Sequence, residues 1–211
     1  VAPRAEVKRY DDSAVVLTLL TNTFVAYAVA RNMDKRFFRF LYYFFIAAMF
    51  VPFPVVMLPI AKQMGSLHLD NQVGLIILYT GLGLGTNLFI ATGFIRSIPV
   101  SLEEAARIDG ASTWRIFWTI IFPLMSPINA TIAILTALWA WNDFLLPYLV
   151  LDTNEYKTIS IVIQFMKGSY GRVDMGAIMA ALIMAVIPVV VFYLLCQKHI
   201  IKGVAAGAVK G

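Results

Sequence analysis

Five long apolar blocks constrain this chain more than any other feature of its sequence. Each is long enough to cross a hydrocarbon core of about 30 Å as a helix that rises about 1.5 Å per residue. Barrel strands would need alternating segments of about 10 residues, whereas these runs are continuous. The sequence therefore predicts an all-α membrane protein, a bundle of about five transmembrane helices. The blocks cover residues 13–30, 40–61, 73–95, 124–151 and 175–196.

The composition excludes an ordinary water-soluble fold. Apolar residues make up 60% of the chain and charged residues 14%, whereas soluble domains have about 45–50% and 25%. The net charge of +5 does not indicate nucleic acid, because the basic residues lie between the blocks, where topology and anionic lipid explain them. Cys196 is the single cysteine, so we expect neither a disulfide framework nor a thiolate metal cluster.

The loops between the blocks predict an orientation. Segments 31–39 and 96–123 and the C-terminal tail are rich in Lys and Arg, which places them in the cytoplasm by the positive-inside rule. Val1 is then outside and Gly211 inside. Because the number of blocks is odd and there is no initiator Met, we expect that the chain lacks its first helix. The predicted organisation is an external polar segment 1–12, a transmembrane domain 13–197 with the loop 96–123, and a cytoplasmic tail 198–211.

The loop 96–123 reads as two short helices joined by a sharp turn. Pro99 ends the preceding helix, and Ser101 is a predicted N-cap that forms a capping box with Glu104. Gly110 supplies the left-handed conformation that ends the first helix, and a second helix is expected from Ser112 or the next residue. The second helix has an apolar stripe of Trp114, Phe117, Trp118 and Ile121.

The first helix of this loop has a surface suited to a protein partner. Ala105 and Ala106 would let a partner's backbone approach closely, and Glu104, Arg107 and Asp109 would provide polar specificity. An ordinary amphipathic helix at the membrane interface is the alternative.

The same loop resembles the signature of binding-protein-dependent ABC importer permeases. That signature is Glu-Ala-Ala, three residues, Gly, nine residues, Ile-x-Leu-Pro. Its members here are Glu104, Ala105, Ala106, Gly110, Ile120 and Pro123, with Phe122 in place of the usual Leu. Residues 141–147 (WNDFLLP) and the tail 197–211 are similar to the maltose-type, carbohydrate-uptake branch of the family.

The resemblance implies a transport subunit, not an enzyme, in the bacterial plasma membrane, with six core helices in the complete family member. It implies no catalytic residue, no metal and no cofactor on this chain, since ATP and Mg belong to a separate ABC ATPase dimer. The other implied partners are a second permease subunit, expected to be a different chain, an extracytoplasmic solute-binding protein, the sugar and membrane lipid. The residues implied in coupling to the ATPase are Glu104, Ala105, Ala106, Asp109, Gly110, Ala111 and Pro123.

Polar side chains inside the blocks are candidates for the substrate path, because they are costly in lipid unless they face a cavity or one another. The rings of Tyr79, Trp139, Trp141 and Tyr148 could add aromatic platforms for a sugar. Hydrogen bonds between helices and an interfacial aromatic belt are the alternative interpretations. The path candidates are Asn22, Asn87, Asn129, Trp141 and Asn142.

Two rival functions stay open on the sequence alone. An importer permease could carry another solute, such as an amino acid, a metal or phosphate. A secondary transporter driven by an ion gradient would need paired acids within the membrane, and Asp143 is the only acid in any block. No GxxxxGK[ST] phosphate loop is present, so we expect no nucleotide on this chain.

Overall fold

The computed structural model describes residues 4–153, 155–167 and 175–208, with side chains for 12–153, 155–166 and 175–196. Every regular element within these ranges is helical, which confirms the predicted fold class. The helices are α1 (Arg4–Arg31), α2 (Arg36–Ala48), α3 (Phe53–Ser66), α4 (Gln72–Ser97), α5 (Ser101–Ile108), α6 (Thr113–Ile116), a π-helix (Phe117–Ile121), α7 (Phe122–Leu124), α8 (Ser126–Asn142), α9 (Leu145–Val150), α10 (Ile159–Lys167) and α11 (Met175–Ala208).

Three described helices are long and apolar enough to cross a membrane. They are Asp12–Arg31 within α1, the whole of α4, and Met175–Cys196 within α11. Two further spans are possible only as bent pairs: α2 and α3 meet at 103°, and the segment Thr113–Leu124 meets α8 at 77°. By length and composition, the described chain therefore has between three and five spans.

The second apolar block, 40–61, is bent into two helices, which together can still form one broken span. Helix α2 ends at Ala48, and α3 begins at Phe53 after Pro52, whose ψ of 130° is extended. Proline fixes its own φ and donates no hydrogen bond, so the helix ladder is interrupted there. Pro52 thus marks the break between α2 and α3.

The fourth apolar block, 124–151, is likewise divided into more than one helix. Asp143 divides it, because its Oδ1 accepts hydrogen bonds from the backbone N–H groups of Leu145 (3.1 Å) and Leu146 (3.3 Å) and so starts α9. The acid in this block therefore has a structural role as a cap between α8 and α9.

Helix extends beyond both terminal apolar blocks. The backbone of α1 is already helical at Arg4, and that of α11 continues to Ala208.

The core lies where α1, α4 and the segment after α5 meet. Phe117 is fully buried there, and its ring packs 5.3 Å from the rings of both Phe24 and Tyr27. Leu88 and Ile95 of α4 complete this cluster and are likewise fully buried. The core thus sits beside the loop whose sequence carries the ABC permease signature.

Helix α4 crosses α2 closely at Gly85. A Cβ there would lie 2.6 Å from the carbonyl oxygen of Phe45 and 2.7 Å from Cγ of Met49. At Gly81, one turn earlier, a Cβ would have no atom within 4 Å. Close packing of α4 against α2 therefore depends on Gly85 and not on Gly81.

We expect Gly85→Ala to destabilise the protein by about 1–3 kcal/mol, because the added methyl group forces α4 away from α2. Gly81→Ala is the matched control and should be neutral or slightly stabilising, since alanine is the better helix former. Thermal unfolding of the detergent-solubilised protein measures both. Equal midpoints for the two variants would contradict the close crossing.

Candidate functional site

Helix α5 begins differently from the prediction. Its N-cap is Val100, which has helical torsions (φ −65°, ψ −27°) and offers no side-chain hydrogen bond. The N–H groups of Leu102 and Glu103 instead bond to the carbonyls of Pro99 (3.4 Å) and Val100 (2.9 Å). The capping box of Ser101 and Glu104 is therefore wrong, because the helical turn already starts at Pro99 and leaves Ser101 inside it.

The end of α5 is as predicted. Gly110 has φ +79°, the left-handed conformation. The N–H of Ala111 bonds to the carbonyl of Ala106 (2.9 Å) and that of Gly110 to the carbonyl of Arg107 (3.0 Å), the two bonds of a Schellman motif. Ser112 then caps the next helix by accepting from the N–H of Arg115 at 3.3 Å. The chain therefore makes a helix, a tight turn and a second helix.

One face of α5 is turned away from the bundle. We call it the docking face, and it consists of Leu102, Glu104, Ala105, Ile108 and Asp109, all of which are exposed. Ile108 is 87% exposed although it lies outside every candidate span. Exposed apolar residues flanked by polar ones are typical of a surface that a protein partner covers.

The opposite face of α5 carries a buried ion pair. Glu103 is fully buried, its Oε1 is 2.6 Å from Nε of Arg31, and its Oε2 accepts from the hydroxyl of Tyr27 at 2.8 Å. We call Glu103, Arg31 and Tyr27 the polar clamp. Arg31 also donates to the carbonyl of Ile98 (3.1 Å), and the exposed Arg107 is 3.5 Å from Glu103. The clamp joins α5 to the last two turns of α1.

Sequence reasoning missed Glu103. The motif drew attention to Glu104, which is exposed, whereas the side chain of Glu103 lies on the buried face of the same helix. A buried carboxylate is tolerated only when it is paired and hydrogen-bonded. The local sequence does not separate Glu103 from Glu104; the available signal was Arg31, a charge that directly follows an apolar block and so needs a partner.

The structure separates the predicted coupling residues into three places. Glu104, Ala105 and Asp109 lie on the docking face, and the exposed Gly110 forms its adjoining turn. Ala106 and Ala111 are half-buried and pack against the core. Pro123 lies beyond the π-helix and lines a groove of about 380 Å³ with Asn129. Ala105 and Ala106 thus do not form one smooth outward face, because only Ala105 is exposed.

The second helix of the loop is only partly as expected. Phe117 and Ile121 are fully buried, whereas Trp114 and Trp118 stay exposed. The ring of Trp114 stacks on Phe24 at 4.6 Å. The π-helix Phe117–Ile121 ends just before Phe122 and Pro123. Pro123 has no N–H to donate, so the backbone hydrogen bonds of a regular helix are interrupted at this point, and the wider π-helical turn lies beside that interruption.

Most of the substrate-path candidates make hydrogen bonds within the bundle. Asn22 donates to the carbonyl of Thr80 (3.3 Å), and Asn129 accepts from Thr23 (3.4 Å). Trp141 donates to the carbonyl of Ala185 (3.3 Å), which joins α8 to α11. Asn142 is exposed and donates to the carbonyl of Leu138 in its own helix at 2.7 Å. These contacts are the helix-to-helix and local bonds of the alternative interpretation.

Asn87 is different. It is 5% exposed, and its Nδ2 has no hydrogen-bond partner among the described residues. It faces Gly83, where a Cβ would lie 3.3 Å from Asn87 Nδ2 and 3.8 Å from the ring of Trp139. The ring of Trp139 packs edge to face with Tyr79 at 5.1 Å, and Tyr79 donates to Asp143 at 3.1 Å. We call Tyr79, Asn87 and Trp139 the amide and aromatic cluster.

The described residues contain no group of His, Cys, Asp or Glu that could hold a metal ion. The site instead consists of a short helix with one exposed face, α5, whose opposite face is joined to the long helix α1 by a buried ion pair.

Comparison with known proteins gives the class of the chain. Residues 22–206 match the family described as binding-protein-dependent transport system inner membrane component. The chain belongs to this family, so it is a multi-pass membrane permease, a transport subunit and not an enzyme.

Two curated relatives and one solved structure are informative. The multiple sugar-binding transport system permease protein MsmG of Streptococcus mutans is 42% identical over 93% of this chain and 72% of that protein. The melibiose/raffinose/stachyose import permease protein MelC of Bacillus subtilis is 35% identical over 94% and 72%. A bacterial ABC transporter involved in the import of the polysaccharide alginate has a TM-score of 0.78 at 27% identity, over 92% of this chain and 72% of that one.

Proposed function

We propose that this permease admits a sugar or oligosaccharide to the cytoplasm, driven by a separate ABC ATPase that binds the docking face of α5. The observation that carries the coupling is the exposed apolar and acidic face of α5, backed by a fully buried Glu103. The sugar follows from the relatives, whose names specify sugars or a polysaccharide.

In this proposal the polar clamp transmits the movement. When the ATPase dimer closes on ATP, α5 moves with it, because its docking face is bound. Glu103 is held by Arg31 and Tyr27 of α1, so α1 is displaced together with α5. Breaking such a pair would leave a buried charge uncompensated, at a cost of about 3–5 kcal/mol, so the clamp moves as a unit.

The proposed assembly contains a second permease subunit, two ATPase subunits and an external solute-binding protein. The α5 end of the bundle and the C-terminus lie in the cytoplasm, on the strength of the basic loops. Met175–Cys196 of α11 is almost unburied within this chain and strongly apolar, which suits contact with lipid or with the second permease.

The amide and aromatic cluster is our proposed contact for the sugar. An amide donor without a partner and a tryptophan ring that is 40% exposed supply what a sugar needs, a hydrogen bond to a hydroxyl and an apolar stacking surface. The other four path candidates rank lower, because each already has a hydrogen bond within the chain; they are Asn22, Asn129, Trp141 and Asn142.

We expect Asn87→Leu to reduce sugar uptake about tenfold without lowering thermal stability. A buried donor without a partner destabilises the folded protein by about 1–3 kcal/mol, and its removal therefore does not lower stability. The bound sugar, however, loses a hydrogen bond that contributes a similar free energy to binding. Asn22→Leu is the control and should lower stability, since it breaks the bond to Thr80. Uptake by Asn87→Leu at the wild-type rate would remove this contact from the proposal.

The function itself is tested in proteoliposomes that contain the whole transporter, with ATP inside and sugar-loaded binding protein outside. We expect uptake of labelled oligosaccharide that requires both. Uptake that follows a proton or sodium gradient without the ATPase would instead support the secondary transporter, and ATP-dependent uptake of an amino acid or phosphate would support another importer.

A further inference from the structure

A cationic pocket lies beside the polar clamp, at the α5 end of the bundle. It is formed by the loop before α2, one face of α2 from Arg39 to Ile46 and the last third of α4, and its volume is about 760 Å³. Arg39 and Arg96 line it together with Tyr42 and Tyr43, and Asp34 is the only acid among the described residues that do so. The pocket is therefore suited to an anion.

Both arginines can offer donors to an occupant. Arg39 is held in place because its Nε and Nη2 donate to the carbonyls of Met33 (3.2 Å) and Asp34 (3.4 Å), which leaves Nη1 unengaged within the described chain. Arg96 makes no hydrogen bond or ion pair with any described residue. Two guanidinium groups in one pocket match the geometry of a phosphate, which arginine binds through paired N–H donors.

The pocket also has an apolar side. Ile46 comes seven residues after Arg39 on α2, and Phe89 comes seven residues before Arg96 on α4. Both therefore lie about 10 Å deeper along their helices than the arginines. Phe89 is 55% exposed, and the exposed Phe40 and Phe44 continue the apolar surface along α2. An occupant thus meets cations at one end and rings at the other.

We propose that this pocket binds an anionic phospholipid, with its phosphate between Arg39 and Arg96 and its acyl chains against Phe89 and the exposed rings of α2. A soluble phosphate would gain nothing from the rings. An apolar helix of another protein would have to bury two arginine charges without partners, which is costly. An anionic lipid satisfies both ends of the pocket, and basic pockets between helices at the membrane surface are known to bind lipid headgroups.

The test uses the assembled transporter, equilibrated with equal amounts of phosphatidylglycerol and phosphatidylcholine and then analysed by native mass spectrometry. We expect the wild type to retain phosphatidylglycerol preferentially. The pocket double variant Arg39→Gln/Arg96→Gln should lose about twenty-fivefold in that preference, since each arginine beside the phosphate contributes about fivefold. The control Lys35→Gln/Arg36→Gln removes the same charge but leaves the lining of the pocket intact, so it should lose about threefold or less, because the paired N–H donors to the phosphate remain.

The other outcomes overturn the proposal. Equal losses in the two double variants would mean a diffuse surface field and not a site. No preference in the wild type would mean that protein or nothing fills the pocket. Displacement of the lipid by soluble glycerol phosphate at comparable concentration would mean a site for a soluble anion. All these readouts are independent of sugar transport, so they do not depend on the proposed function.

Discussion

Replacement of Arg31 by alanine abolishes sugar uptake while the ATPase still co-purifies with the permease. Glu103 is fully buried, and the loss of Arg31 leaves it only the hydroxyl of Tyr27 and the exposed, more distant Arg107, so its charge is poorly compensated, at a cost of up to about 3–5 kcal/mol. Release of α5 from α1 avoids that cost. The docking face is untouched by the change, so the ATPase remains bound but no longer moves the bundle. We expect uptake to fall by at least about a hundredfold.

Two comparisons make this result specific. Arg115→Ala removes an equal charge from an exposed position on the neighbouring helix and should leave uptake within about threefold of the wild type, as is usual for exposed charges. Glu103→Gln keeps the shape of the side chain but not its charge, and should have an intermediate effect. Uptake by Arg31→Ala that equals uptake by Arg115→Ala would show that the clamp transmits nothing.

Replacement of Gly110 by valine uncouples ATP hydrolysis from uptake. No atom lies within 4 Å of the position that a Cβ would take, so the effect comes from the backbone and not from a clash within this chain. The φ of +79° is unfavourable for any side chain by about 1–2 kcal/mol and more so for a β-branched one. The turn then opens, and α5 no longer presents its face in the same direction. Uptake should fall at least about tenfold, measured against ATP hydrolysed in the same vesicles.

Gly110→Asn separates the two possible causes of that loss. Asparagine tolerates the left-handed conformation better than valine does, so it should retain uptake within about threefold if the turn itself matters. An asparagine variant as defective as the valine variant would mean that the ATPase surface needs the space beside Gly110, which would contradict the conformational explanation.

The class and the loop architecture could be predicted from the sequence because they depend on local chemistry. Apolar blocks without charge can only be membrane helices, and a glycine after a short helix ends it through backbone geometry. Gly110 and Ser112 behave as predicted for that reason. The start of α5 was mispredicted because Pro99 and Val100 already form a helical turn, which competes with the cap that Ser101 would have made.

What could not be predicted depends on contacts between distant parts of the chain. The clamp joins residues more than 70 positions apart, and nothing local distinguishes the buried Glu103 from the exposed Glu104. The breaks at Pro52 and Asp143 are similar: the residues that cause them are visible in the sequence, but the angle of 103° between α2 and α3 is a property of packing. Asn87 stands out from the other asparagines only once its neighbours are known.

In the proposed mechanism the ATPase binds α5 through its docking face. A photo-crosslinking amino acid at the position of Ala105 or Ile108, in the assembled transporter, tests it most directly, with the position of the exposed Val186 on α11 as the control. We predict an adduct with the ATPase subunit from both positions on α5 and none from the control. A transporter that retains its ATPase but yields no such adduct from either position would contradict the account.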